Sequence, residues 1–228
     1  NFYDWTEMDE IVDDICASSS RVYFLKNGHL YYHELNSDEI KSSISTNNVI
    51  RGITITEFDQ YKLYGSPRSS FRKADAIDAP DQILLFINST MYRITGSSHG
   101  VPNSYDTIDV GNMTNILFAS AYLDPHVTVI VYEKDNRYYR KKVDGIVNKS
   151  EVQEIKIENL KHVFMHDFTK KMILINDSFV YLSSDLGISM EIVYLLQDNE
   201  IVINHASSLG YDEVMIYTST GRAIMISP

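Results

Sequence analysis

Apolar residues in this chain come in short runs, β-branched or aromatic, that stop at turn-forming residues. The 3.6-residue spacing of an amphipathic helix is almost missing. Val22-Tyr23-Phe24-Leu25 runs through Lys26-Asn27-Gly28-His29 into Leu30-Tyr31-Tyr32. Asn-Gly tolerates positive φ and matches the twist of paired strands, so this segment predicts a tight β-hairpin. Four further segments follow the same plan. Ile83 to Ile87 turns at Asn88-Ser89-Thr90 into Met91 to Ile94, and Val127 to Tyr132 turns at Lys134-Asp135-Asn136 into Tyr138-Tyr139. Met172 to Ile175 turns at Asn176-Asp177-Ser178 into Phe179 to Leu182, and Val214 to Tyr217 turns at Ser219-Thr220-Gly221 into Ala223 to Ile226.

The turns centre near residues 27, 88, 135, 176 and 220. The last three intervals are roughly 41 to 47 residues, the length of a four-stranded repeat unit. The first interval is about 60, as if one unit had gained a loop, with the surplus placed in the Ser-, Asn- and Asp-rich stretch of roughly 36–73. Each hairpin also has a short apolar strand upstream, separated from it by a polar gap. These strands fall within Met8 to Ala17, Gly111 to Ala119, Ile157 to Met165 and Gln197 to Ala206, with a weaker version at Ala74-Asp75-Ala76-Ile77. A small sheet of this kind cannot bury both faces alone, whereas stacking successive sheets around an axis covers each face. A β-sandwich would also carry hairpins, but nothing obliges it to repeat the same upstream strand and gap. The expected fold is all-β, a β-propeller of about five recognisable blades forming a single domain over 1–228.

The order of apolar strand, small residues, gap, apolar strand, turn and aromatic strand resembles the repeat of the RCC1 family of β-propellers. The best copy is Trp5-Thr6-Glu7 to Ile11, Ile15-Cys16-Ala17-Ser18-Ser19, then Val22 to Leu25, Lys26-Asn27-Gly28-His29 and Leu30-Tyr31. A divergent RCC1-like or WD-like propeller is what this resemblance implies. Typical members have seven blades, so the chain is either a five-bladed ring or part of a seven-bladed one. The resemblance also implies three roles: exchange factor for small GTPases, substrate-binding half of a ubiquitin-ligase adaptor, and subunit of a larger assembly.

Composition narrows the function. The net charge of −11 argues against a nucleic-acid binder, which needs cations to displace counterions from phosphate. No apolar run is long enough for a membrane-spanning helix. Asn1 to Trp5 has no basic or apolar leader pattern, and a start at Asn1 fits a processed chain or a segment of a longer one. The single cysteine, Cys16, excludes an intramolecular disulfide and is compatible with the cytosol. The expected compartment is cytoplasmic or nuclear. It would be extracellular if the sequons at Asn88, Asn112, Asn148 and Asn176 carry glycans, as in a domain of a membrane-associated complex.

No catalytic constellation emerges, and no cofactor or metal site is expected. His162 and His166 are four apart but lie on strand and turn, without the glutamate of a zinc-protease helix. The acidic stretch Asp9 to Asp14 lacks the glycine and spacing of a calcium loop. Gly96-Ser97-Ser98-His99-Gly100 lacks the Lys-Ser/Thr ending of a phosphate loop and reads as a flexible connection. Cys16, between Ile15 and Ala17, should behave as a small buried apolar residue.

Two segments concentrate residue types that carry interface energy. One is the basic and aromatic run containing Arg137, Tyr139 and Arg140. On a strand, Arg137, Tyr139 and Lys141 would share one face, and Tyr138, Arg140 and Lys142 the other. The other is the inserted loop with Tyr61, Tyr64, Arg68, Phe71 and Arg72. These eight residues are the candidate partner-binding positions of a non-catalytic protein-interaction module. The alternatives are a small-GTPase exchange factor and the extracellular glycoprotein domain.

Overall fold

The computed structural model describes residues 11–17, 21–26, 29–34, 61–66, 82–88, 90–96, 102–109, 113, 115–121, 127–144, 149–165, 171–207 and 213–227. Among these residues there is no helix, and the strands form five small antiparallel sheets, one for each hairpin of the sequence. The chain divides into two compact units, 1–110 and 111–228.

The first unit contains two sheets. The first joins β1 (Asp14–Ala17), β2 (Arg21–Lys26) and β3 (His29–Glu34) in that order. The second joins β4 (Tyr61–Ser66), β5 (Gln82–Ile87), β6 (Thr90–Gly96) and β7 (Pro102–Asp109). Tyr23, Leu25 and Leu30 from the first sheet pack with Ile83, Leu85, Ile87 and Ile94 from the second, and Cys16 joins the rim. These positions alternate along their strands, so one face of each sheet supplies the shared core.

The strand β4 corrects the sequence reading of 61–66 as loop. Tyr61 pairs with Ile87 and Ser66 with Gln82, making this segment the first strand of the second sheet. Six consecutive pairings with the apolar β5, from Tyr61 to Ser66, outweigh the polar flanks of this segment. Ala74 to Ile77, offered as that unit's upstream strand, lies outside the described residues.

The second unit has three sheets. The first runs β11 (Lys149–Ile155), β10 (Arg137–Asp144), β9 (Val127–Lys134), β8 (Asn115–Ala121). The second runs β12 (His162–Met165), β13 (Met172–Ile175), β14 (Phe179–Ser183), β15 (Glu191–Leu195). The third runs β16 (Val202–Ser207), β17 (Val214–Thr218), β18 (Ala223–Ile226).

These sheets stack face on face. Val127, Val129 and Val131 of β9 meet Met172 and Leu174 of β13 and Val163 of β12. The opposite side of β13, Ile173 and Ile175, packs with Val214 and Ile216 of β17 and Ile224 and Ile226 of β18. All four residues of β13 are buried, which is why Met172-Ile-Leu-Ile175 is apolar without interruption rather than alternating. Fully burying each such side chain is worth about 1.5–3 kcal/mol. Strands of about five residues, joined by hairpins and stacked through both faces, make the fold that of a β-propeller.

The turns use the expected chemistry. Asp135 and Asn136 both have positive φ (51° and 57°) and form the two-residue loop between β9 and β10. The Asn176 side-chain oxygen accepts from the N–H groups of Ser178 (2.9 Å) and Phe179 (2.7 Å), closing the β13–β14 turn. Gly221, at φ 79°, turns β17 into β18. Asn27 and Gly28 lie outside the described residues.

Candidate functional site

In each sheet of the second unit the hairpin tip and the start of the first strand, β8, β12 or β16, lie at the same end. The pairings Asn115 with Glu133, His162 with Ile175 and Val202 with Thr218 put each first strand's start beside the neighbouring hairpin tip. Asp135, Asn136, Asn159, Asn199 and Gly221, all with positive φ, sit at this end. Short polar side chains there accommodate sharp turns and leave backbone close to the surface.

A pocket of about 210 Å³ opens at this end, between the start of β12 and the turn before β16. Its walls include Lys161, His162, Asn176, Asp177, Asn199 and Ile201. Lys161 and Asp177 are both exposed and lie 3.9 Å apart. The Asn176 amide nitrogen donates to the Glu158 carbonyl (3.1 Å) while its oxygen closes the turn.

The pocket is also lined by a buried carboxylate, Glu200. It accepts from the Gln197 N–H (2.9 Å), the hydroxyls of Thr218 (2.8 Å) and Thr220 (3.2 Å), and the Arg222 guanidinium (3.2 Å). The Gln197 bond is the largest influence holding its carboxyl below the ordinary range. Burial opposes it, and the two threonines and Arg222 add to it. Arg222 also donates to the Tyr194 hydroxyl and lies over that ring, 5.7 Å from its centre. Glu200 therefore ties the turn before β16 to the β17–β18 hairpin. Its acceptor capacity is spent inside the protein.

Nearby, the His205 ring of β16 stacks on Phe164 of β12, with centres 3.9 Å apart and planes 6° off parallel. Burial, and then the neighbouring His162, push the His205 pKa below its ordinary value, so the stacked ring is neutral at pH 7.

The sequence candidates fall in several places. Arg137, Tyr139 and Arg140 are all on β10. Arg137 is exposed and reaches Glu154 at 3.7 Å. Tyr139 is half-buried and stacks on Tyr132. Arg140 points to the opposite face, where it is buried and bonds Glu151 (2.5 Å) and Gln153 (3.2 Å). The structure thus separates Arg137 and Tyr139 from Arg140 and commits the Arg140 charge to its own sheet. Tyr61 and Tyr64 stand on β4, while Arg68, Phe71 and Arg72 lie outside the described residues, as does His166. Cys16 is half-buried; desolvation, then the Asp14 charge, push its thiol up to about 12.

Exposed apolar side chains were not anticipated from the sequence. In the second unit Ile192, Leu195, Ile201, Ile203, Tyr217 and Met225 are all exposed. Ile203 is the extra residue of a bulge in β16, as Leu117 is in β8. A bulge turns a residue out of the alternating pattern, so its exposure cannot be read from period-two spacing.

No family model and no curated protein matches the chain. Solved structures do. Hsv2 of Kluyveromyces lactis aligns with a TM-score of 0.54 at 10% identity, over 92% of this chain and 58% of its own. The complex of the fission yeast SREBP–SCAP binding domains aligns with a TM-score of 0.53 at 10% identity, over 96% of this chain and 61% of its own. The chain thus spans about three-fifths of the length of each. The β-propeller domain of Vanderwaltozyma polyspora Nup133 aligns over 96% of this chain and 83% of its own, with a TM-score of 0.47 at 11% identity. Identities this low concern the fold alone.

Proposed function

We propose that this chain is a non-catalytic β-propeller module that binds one or more proteins as a subunit or adaptor of a larger complex. The observation that carries this reading is how polar and apolar groups divide at the surface of the second unit. Its buried carboxylate, Glu200, is consumed by internal bonds, whereas large apolar side chains such as Ile201, Tyr217 and Met225 stand exposed. Internally saturated polar groups hold backbone in place and have no capacity left to act on a substrate. Exposed aliphatic and aromatic groups on a rigid scaffold supply contact energy. One structurally similar chain was solved as a complex of binding domains, which agrees with this reading.

The test is affinity capture with the intact chain against the variant Arg137→Glu/Tyr217→Ser, read by quantitative mass spectrometry and followed by reconstitution with purified candidates. A partner retained by the wild type and weakened at least tenfold by the variant supports the reading. Failure of every reconstitution ends it. Replacing 57–73 wholesale would be a poor test, because it deletes β4. Nucleotide release from a panel of small GTPases is expected to stay at the intrinsic rate; acceleration of any member would make the exchange-factor reading the correct one.

A further inference from the structure

The pocket between the start of β12 and the turn before β16 has a volume of about 210 Å³. Cofactor and drug-sized ligand sites run to about 300–1,000 Å³, so this one has room for a single side chain. Every residue that lines it belongs to 149–165 or 171–207, two stretches described without a break.

Backbone bonds hold its walls. The Lys161 N–H donates to the Ile175 carbonyl (2.8 Å), and the Ser219 N–H donates to the Ile201 carbonyl (2.8 Å). The Ile201 N–H in turn donates to the Ser219 hydroxyl (3.0 Å). Walls fixed in this way need little ordering when something enters.

The lining combines apolar surface with unequal charge. Ile175 and Val202 are buried, and the exposed Ile201 side chain extends their apolar surface. Asp177 and Glu200 contribute two carboxylates against one ammonium group, that of Lys161. Glu200 is buried and already answered by Arg222 from the β17–β18 hairpin. Asp177 is not spent in that way. Its ion pair with Lys161 is long, 3.9 Å, and both side chains are more than half exposed, so the pair is readily exchanged for a better one.

Apolar surface beside an exposed carboxylate suits a side chain with a long aliphatic stem and a cationic head. Arginine suits it better than lysine. Its planar fork meets a carboxylate through two N–H groups, whereas Lys161 already offers a point charge. An anionic side chain would face Asp177 and Glu200 together and be repelled. The net charge of −11 acts in the same sense at longer range, drawing in a basic partner and turning away an acidic one.

Building on the interaction-module reading, we propose that this pocket receives an arginine side chain from a basic segment of the partner protein. The guanidinium takes the place of Lys161 on Asp177, and the stem lies against Ile201 and Val202. Arginine seated in a fixed pocket is a common anchor of protein interfaces.

The probe is the peptide acetyl-Gly-Gly-Arg-Gly-Gly-amide, titrated against the isotope-labelled intact chain and followed by NMR at the Ile201 methyl groups and the Asn199 side-chain amide. Saturable shifts at both are expected. The same peptide with citrulline, which keeps the shape and loses the charge, should bind at least tenfold more weakly, and a glutamate peptide should not bind. Asp177→Asn should weaken binding at least tenfold. Lys161→Met removes the competing cation and should tighten binding at least twofold, a gain that a merely structural role for Lys161 would not produce. Melting curves confirm that each variant is folded. No saturable shift at these residues, equal affinity for the citrulline peptide, binding of the glutamate peptide as tight as that of the arginine one, or weaker binding by Lys161→Met overturns the proposal. A reconstituted partner weakened at least tenfold by Asp177→Asn supports it. A reconstituted partner indifferent to Asp177→Asn refutes the pocket as an anchor while leaving the interaction-module reading standing.

Discussion

Replacing Glu200 by glutamine keeps the shape of the side chain and removes its charge. In the folded protein this carboxylate answers four donors and is buried, with Arg222 beside it. Glutamine can accept with one oxygen, but its amide then confronts an N–H or the guanidinium. Hydrogen bonds to a charged group contribute about 1.5–3 kcal/mol each, and leaving one partner of a buried pair costs about 3–5 kcal/mol. Arg222 is partly solvated and keeps Tyr194, so about 3 kcal/mol is expected for Glu200→Gln. For a chain of this size that corresponds to a fall in Tm of about 6–12 °C at pH 7. The pH dependence has a definite sign. A carboxyl depressed in the folded state stabilises fully above its ordinary value of 4.5, and that contribution is lost as pH falls through the folded value. The difference between wild type and variant, followed by circular dichroism from pH 7 to pH 2, should therefore shrink in acid. A fall in Tm under about 2 °C at pH 7, or a difference that persists undiminished at pH 2, would refute the assignment of Glu200 as a charged tie.

Asp185 gives an independent acid-sensitive contribution. Bonds from Ser189, first its hydroxyl and then its N–H, lower its carboxyl to about 2, so Asp185→Asn should cost about 1 kcal/mol at pH 7 after allowance for solvent, and nothing below pH 2. Gly187 stands at φ 88° in the same loop, so Gly187→Ala should destabilise by about 1 kcal/mol in denaturant melts, although the nearest atoms, on Ile155 and Met172, leave room for a methyl group at 3.6 Å. Arg140→Met should change stability but leave partner recovery unaltered, because the Arg140 charge meets Glu151 rather than solvent; lost capture by a folded variant would contradict this. Expression through a secretory pathway should glycosylate Asn88, exposed at its hairpin tip, and spare Asn176, whose amide nitrogen is bonded to Glu158; mass spectrometry of both peptides decides it.

The hairpins were legible in the sequence because turn chemistry is local. Asp135-Asn136, Asn176 and Gly221 each fix a backbone reversal within a few residues, and the apolar runs on either side are long enough to register. The first strands β1, β8, β12 and β16 were legible for the same reason. The fourth strands were not. Lys149-Ser-Glu-Val-Gln-Glu-Ile155 and Glu191-Ile-Val-Tyr-Leu195 lie at sheet edges, half in water, so their charges mask the alternation. The strand β4 was missed because its pairing with β5 spans a separation that varies freely between repeats. At the site, Arg137 and Tyr139 could be placed on one face from strand periodicity alone. The role of Glu200 could not, since its partners at 218, 220 and 222 are brought near only by the hairpin, and Asp198-Asn199-Glu200 reads as an ordinary solvated turn.

Because β13 is sandwiched between two cores, unit 2 has a polarity in how it tolerates rearrangement. Deleting 157–196 would strand the apolar sides of β9 and β17, surfaces that have co-adapted to Met172, Leu174, Ile173 and Ile175 rather than to each other. Loss of this one repeat would therefore expose two apolar faces at once, so the middle sheet of unit 2 is fixed by both of its neighbours.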